Sequence, residues 1–209
     1  PLQWRALGRW QDGRLVLSDI QITQQDLMRI TGQASLHPAA APFIESASFE
    51  LQALEFPAAY TSFLQIALAA GDFGTLTTTG RVRGQVEVSN DVLTRLDANL
   101  DGIDIRDNNG KFSMQQLRGE LHWLPAKGAA PALSVLQWQS GSAYGLSGAA
   151  TRLEFYARGP GFELARPARV PVLDGALRID AFAAHELGTP QVSMQFAGEI
   201  EPISMPLLS

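Results

Sequence analysis

Gly80-Arg81-Val82-Arg83-Gly84-Gln85-Val86-Glu87-Val88 is apolar at Val82, Val86 and Val88 and polar at Arg81, Arg83, Gln85 and Glu87. Successive side chains of a β-strand point to opposite faces, so this alternation builds one apolar and one hydrated face on a single extended run. The opening phrase, glycine followed by a polar or small residue and then an apolar one, recurs as Gly13-Arg14-Leu15, Gly110-Lys111-Phe112, Gly119-Glu120-Leu121 and Gly175-Ala176-Leu177. Leu15 and Leu17 then alternate with Arg14 and Ser18, and Leu177, Ile179 and Ala181 with Arg178 and Asp180.

Candidate strands fall near 2–10, 13–22, 26–36, 46–54, 80–88, 92–105, 110–116, 118–124, 132–139, 149–157, 175–183 and 190–200. Turn chemistry separates them: Gln11-Asp12-Gly13, Ser89-Asn90-Asp91, Asp107-Asn108-Asn109-Gly110, Gln139-Ser140-Gly141-Ser142 and Arg158-Gly159-Pro160-Gly161. Asn-Gly and Gly-Pro steps supply the positive φ angles and reversals that hairpins need. The expected fold is all-β with one principal helix, an elongated, curled antiparallel sheet forming a β-groove or an open, barrel-like shape. No domain boundary interrupts it, because the loops His37–Pro42 and Pro125–Pro131 are too short to be linkers. Residues 1–209 read as one all-β segment, and both ends read as cuts within a longer chain.

One stretch breaks the period of two. Pro57 to Gly71 places Tyr60, Phe63, Leu64, Ala67 and Leu68 at helical spacing, with proline in the first turn and glycine after the last. At about 14 residues it is short of the roughly 20 that cross a bilayer. Packing over one face of the sheet is the plain reading. The sharper one makes Tyr60, Phe63, Leu64 and Leu68 a lid on an apolar groove.

Composition narrows the function classes. Apolar residues make up 45% and charged residues 18%, which suits a folded chain. The formal net charge of −5, with basic residues such as Arg166 and Arg169 scattered, gives no nucleic-acid footprint. Cysteine is absent, so neither disulfides nor thiolate metal sites arise.

No motif of catalysis or ligation is complete in this sequence. Aligning Gly110 with the sixth position of a calcium loop puts Ile105 at the first ligand position and Gln116 at the bidentate one, so Asp107–Gly110 reads as a hairpin turn. Gly145-Leu146-Ser147-Gly148-Ala149 lacks the final glycine of a nucleophile elbow and leads into a strand. His37, His122 and His185 share no ligand spacing, and His122, between Leu121 and Trp123, reads as a strand residue facing solvent. Asp101 with Asp104, or Glu50 with Glu55, would serve glycoside hydrolysis only at roughly 5–10 Å across a cleft. Trp4, Trp10, Trp123 and Trp138 suit either sugar stacking or half-buried packing. No catalytic residue, metal ligand or cofactor is assigned, and a non-enzymatic protein is expected.

From about Tyr60 to its end the chain resembles the bacterial AsmA-like envelope proteins, especially the YdbH-type branch. The residues that carry the resemblance run in order: Leu68-Ala69-Ala70-Gly71 closing the helix, then Gly80 to Val86, Asp104 to Phe112 and Arg118 to Trp123. Val170-Pro171-Val172-Leu173-Asp174-Gly175-Ala176-Leu177-Arg178-Ile179 is the nearest match, and Glu201-Pro202-Ile203-Ser204-Met205 fits the same pattern. The resemblance implies a periplasmic protein held to the inner membrane by an N-terminal helix that is not within this sequence. It also implies phospholipid carried between inner and outer membranes along a hydrophobic β-groove, with partner proteins at both membranes.

Three readings result. The first is a lipid-binding or lipid-conducting segment, with phospholipid acyl chains as its partner. Its candidate lining is Leu15, Leu17, Val82, Val86, Val88, Leu133, Val135, Leu177, Ile179, Val192, Met194 and Phe196. The second is a structural or adhesive β-scaffold that binds another protein. The third is a carbohydrate-binding module.

Overall fold

The computed structural model describes residues 1–68, 74–126, 130–187 and 190–202. Of the described residues 71% are in strands and 5% in helix, and the strands form one large, predominantly antiparallel sheet. The first half is a plain meander: β1 (Leu2–Gln11), β2 (Arg14–Gln24), β3 (Met28–Leu36), β4 (Ile44–Phe56), β5 (Leu76–Ser89), β6 (Val92–Asp107) and β7 (Phe112–Leu124), each paired with its predecessor. Shorter segments follow: β8 (Ser134–Trp138), β9 (Ser140–Ala143), β10 (Leu146–Gly148), β11 (Thr151–Arg158), β12 (Gly161–Leu164) and β13 (Ala168–Val172). The last two strands are β14 (Gly175–His185) and β15 (Ser193–Ile200).

Three of these segments continue a predecessor. β8 and β9 run along β7 in one unbroken register, Arg118 opposite Gln137 and Gln115 opposite Ser140, and Gln139 N donates to Gln115 O at 3.0 Å between them. β10 and β11 line the other side of that strand in one register, Gly148 opposite Gly141 and Thr151 opposite Trp138. β12 and β13 both lie along β14. Fifteen segments, three of them continuations, thus make twelve strands in simple up-and-down order. Because β8 starts only at Ser134, its neighbours close over the gap, and β7 meets β11 in parallel at Trp123–Ala157 and Leu124–Arg158. Among the described residues β1 pairs with β2 alone and β15 with β14 alone, so the sheet is open at both edges.

Most strands carry a bulge near mid-length. Register shifts lie between Leu17 and Ile20 in β2, Leu51 and Leu54 in β4, Leu100 and Ile103 in β6, and Ile179 and Ala181 in β14. An extra residue unpairs locally, bends its strand and increases the twist, so bulges recurring from strand to strand curl the sheet. Several sit on positive φ: Asp19 at 50°, Gly102 at 62° and Gln116 at 54°. The Gln116 bulge is clamped from β6, where Asp104 Oδ1 accepts from Gln116 N at 2.7 Å and Oδ2 accepts from Thr79 Oγ1 at 3.1 Å.

The sheet has little dry interior. The buried apolar residues are mostly alanines, with Ile20, Leu27, Tyr60 and Ile103 the larger ones, and the main cluster, Ile20, Ala34 and Ala47, has partly buried Leu17, Ile22, Phe49 and Val88 against it. Accessible surface is 12943 Å², whereas a compact chain of this mass exposes roughly 9,500 Å².

Some expectations change here. The runs expected at 110–116 and 118–124 are one strand, β7, because the bulge at Gln116 shifts the alternation without ending the pairing. The strand over 161–172 was not expected: Pro160, Pro167 and Pro171 punctuate it, yet Pro171 still accepts from Ala149 N at 3.1 Å through its carbonyl. The helix is present over 58–68, with Tyr60–Leu64 wound as a π-helix, and the remainder of the expected 57–71 span at 69–71 lies outside the described residues.

Candidate functional site, an open apolar sheet face

Residues paired across antiparallel strands share a face, so the register can be followed from strand to strand. One row runs Trp4, Ile22, Ile30, Leu51, Gly84, Ala98, Leu121 from β1 to β7. Beside it run Ile20, Gly32, Phe49, Val86, Leu96, Trp123 and, nearer one strand end, Gly8, Leu17, Ala34, Ala47, Val88, Leu93. A fourth row, Met28, Leu54, Val82, Leu100, Gly119, Leu136, Leu153, carries the face into the second half. There Phe155 stands opposite Leu164, Phe162 opposite Ala184, and Phe182 opposite Phe196. The Phe155 and Phe162 rings meet edge to face at 6.2 Å, and Phe162 and Phe182 at 5.2 Å. A single apolar face therefore reaches from β1 to β15.

The reverse face is hydrated. Arg5, Gln21, Thr31, Glu50, Gln85, Asp97 and His122 form one row, and Arg83, Asn99, Glu120, Val135 and Glu154 another. Ion pairs gather on this side, among them Arg14–Glu45 at 3.2 Å and Arg178–Glu199 at 2.8 Å. His122 Nδ1 lies 2.7 Å from Asp97 Oδ1. The Asp104 carboxyl is held below its ordinary value, chiefly by the Gln116 N–H, and Glu201 is lowered by the Arg169 guanidinium hydrogen-bonded to it. Two polar groups on the apolar side are tied to backbone: Ser134 Oγ accepts from His122 N at 2.9 Å, and Asp107 Oδ2 accepts from Lys111 N at 3.0 Å.

Of the expected lining, Leu15, Leu17, Val82, Val86, Val88, Leu177, Ile179, Met194 and Phe196 stand on the apolar face. Val135 does not. It sits opposite Glu120 and Glu154 on the hydrated face, because the inward phase of β8 is carried by Ser134, Leu136 and Trp138, and a serine at an inward position disguises it. Leu133 and Val192 lie just ahead of β8 and β15, outside the paired residues. Sequence reading missed Phe49, Leu96, Leu121, Leu136, Leu153, Phe155, Phe162 and Phe182; following the alternation across each bulge would have found them.

The helix is not spread over this face as a lid. Tyr60 is buried and its Oη accepts from Leu76 N at 3.0 Å, whereas Phe63 and Leu64 are exposed, and the Leu68 side chain lies outside the described residues. The four tryptophans all sit on the apolar side but on three different strands, and Trp123 Nε1 is committed to Gly159 O at 2.7 Å, so they form no common platform. No helix among the described residues is long and apolar enough to cross a membrane. Comparison with family models, with curated proteins and with solved structures gives no match to this chain.

Proposed function

We propose that this chain is a non-enzymatic lipid-binding and lipid-conducting segment of a bacterial envelope protein, whose apolar sheet face shelters phospholipid acyl chains between inner and outer membranes. One observation carries the reading: apolar side chains share one face of an open sheet from its first strand to its last, and most of the larger ones are partly buried or exposed. Monomers rarely leave so extended an apolar surface without an occupant. With strands about 4.8 Å apart, the path across the sheet is on the order of 50 Å. Each methylene withdrawn from water along it contributes about 0.8 kcal/mol. The face offers few polar groups to recognise a peptide or a sugar, which favours an aliphatic occupant held without directional bonds. The resemblance to AsmA-like proteins supports the same occupant and a periplasmic setting, with an inner-membrane tether outside these residues.

Native mass spectrometry of protein purified from a bacterial periplasm tests this. Co-purified phospholipid is expected, and Leu121→Asp, in the middle of the face, should reduce it severalfold while the strand signal in circular dichroism persists. Bare protein, also after incubation with phospholipid vesicles, would sink the reading.

A further inference from the structure

The hydrated face holds a hollow whose lining is cationic and free of carboxylates. Arg118 of β7, Gln137 of β8 and Arg152 of β11 stand in one cross-strand row. That row lies directly beside the apolar row of Gly119, Leu136 and Leu153, and therefore on the opposite side of the sheet. With Gln116, Gln139 and Ala150 these residues border a hollow of about 550 Å³, a size usual for small-ligand sites. Arg118 is held ready within it. Its guanidinium donates to Gln116 Oε1 at 2.8 Å, and Gln116 Nε2 in turn donates to Asp104 Oδ1 at 3.3 Å. No ion pair joins Arg118 to an acid among the described residues, and Glu120, two residues along the same face, lies 3.6 Å from His122 Nε2 instead. Arg152 and Arg166 share the single carboxylate of Glu154, at 3.0 and 3.2 Å, so two guanidiniums stand against one acid. The side-chain amides of Gln137 and Gln139 make no hydrogen bond among the described residues, which leaves their N–H donors for a ligand.

We propose that this hollow binds a phosphate group, gripped between Arg118 and Arg152 and seated on Gln137. A guanidinium is planar, always charged and able to give two parallel N–H bonds to two oxygens, which matches a phosphate. The two arginines stand two strand spacings apart, about 10 Å between backbones. Both long side chains can therefore converge on one tetrahedral anion while the Gln137 amide donates between them. A lining of N–H donors without a carboxylate suits an anion and repels a cation. The sheet itself lies between this hollow and the apolar face, so a lipid sheltered on that face cannot place its own head group here. The inference stands apart from what occupies the face.

Isothermal titration calorimetry of the 209-residue chain with inorganic phosphate and with glycerol phosphate, at low salt, tests it. Saturable binding at a single site is expected, weakened by about tenfold or more in Arg118→Gln. Arg152→Gln, on a different strand, should weaken it as well, whereas Arg83→Gln, at an exposed arginine elsewhere on the hydrated face, should leave it unchanged. Circular dichroism checks that the sheet persists in each variant. Binding to phosphatidate vesicles beyond that to phosphatidylcholine vesicles, displaced by glycerol phosphate, would support the proposal with a lipid head group as the source. Binding of the soluble anions alone would support it with a free phosphate. No saturation with either anion, full binding in both Arg118→Gln and Arg152→Gln, or equal weakening in Arg83→Gln would overturn the proposal, the last by pointing to diffuse attraction to the charged face.

Discussion

Asp104 shows how much one carboxylate does for the curvature of this sheet. It receives the backbone N–H of Gln116, which the positive φ at the bulge leaves without a strand partner, and so holds β6 and β7 together where their register slips. Asp104→Ala should cost about 1.5–3 kcal/mol, the range for a hydrogen bond to a charged group, measured by urea unfolding. Because its folded-state pKa lies below the ordinary 3.8, its contribution is fully present above that value and fades as pH falls through the lowered one. Acid should therefore narrow the gap between wild type and variant. Val86 and Arg83, three residues apart on β5, test the two faces. Val86→Asp sets a charge between Phe49 and Leu96 and should cost about 1–3 kcal/mol. Arg83→Asp, beside Asn99 on the hydrated side, should stay within about 0.5 kcal/mol. Equal losses would mean the faces are misassigned.

At the scale of elements, β7 and the helical segment differ in how firmly the sheet needs them. Gly119 has φ 142°, and a Cβ there would overlap the Val135 carbonyl, so β7 and β8 approach only because the residue is glycine. Gly119→Ala should lower stability by at least about 1–3 kcal/mol through strain alone, seen as an earlier thermal transition. The helical segment hangs on its first turn. Tyr60→Phe removes the acceptor of Leu76 N–H and should cost about 0.5–1.5 kcal/mol. Phe63→Ser, at an exposed site, should change stability by less than about 0.5 kcal/mol. A large loss from Phe63→Ser would show that this part of the helix is packed after all.

For the whole molecule, the consequence of an open face is that the native state binds apolar molecules. A naphthalene-sulfonate dye should fluoresce with the folded protein and lose its signal on unfolding, and phospholipid should raise the melting temperature. A ligand held only by the folded state adds about 2.7 kcal/mol at a hundred times its Kd. A native protein silent to dye and unmoved by lipid would mean that its apolar side chains cover one another.

The alternation at 80–88, the glycine-led openings and the Asn-Gly and Asp-Gly turns were enough to determine an all-β chain, its antiparallel order and most strand positions, since side-chain period and turn chemistry are local properties. The inward phase is legible only between bulges, as over Leu15 and Leu17 or over Val82, Val86 and Val88. Each bulge inserts a residue and reverses the phase without a distinct sequence signal, as from Leu17 to Ile20 or from Met114 to Leu117. On β8 a small polar residue at an inward site, Ser134, hid the phase, and prolines around β12 and β13 hid a strand whose neighbours supply its pairing. Whether the apolar face would be sealed or left open was decided only by the tertiary structure. The same alternation serves a closed barrel and an open sheet, and the outcome depends on whether β1 and β15 meet. They do not, because every strand pairs with its sequence neighbours and nothing among the described residues brings the two edges together.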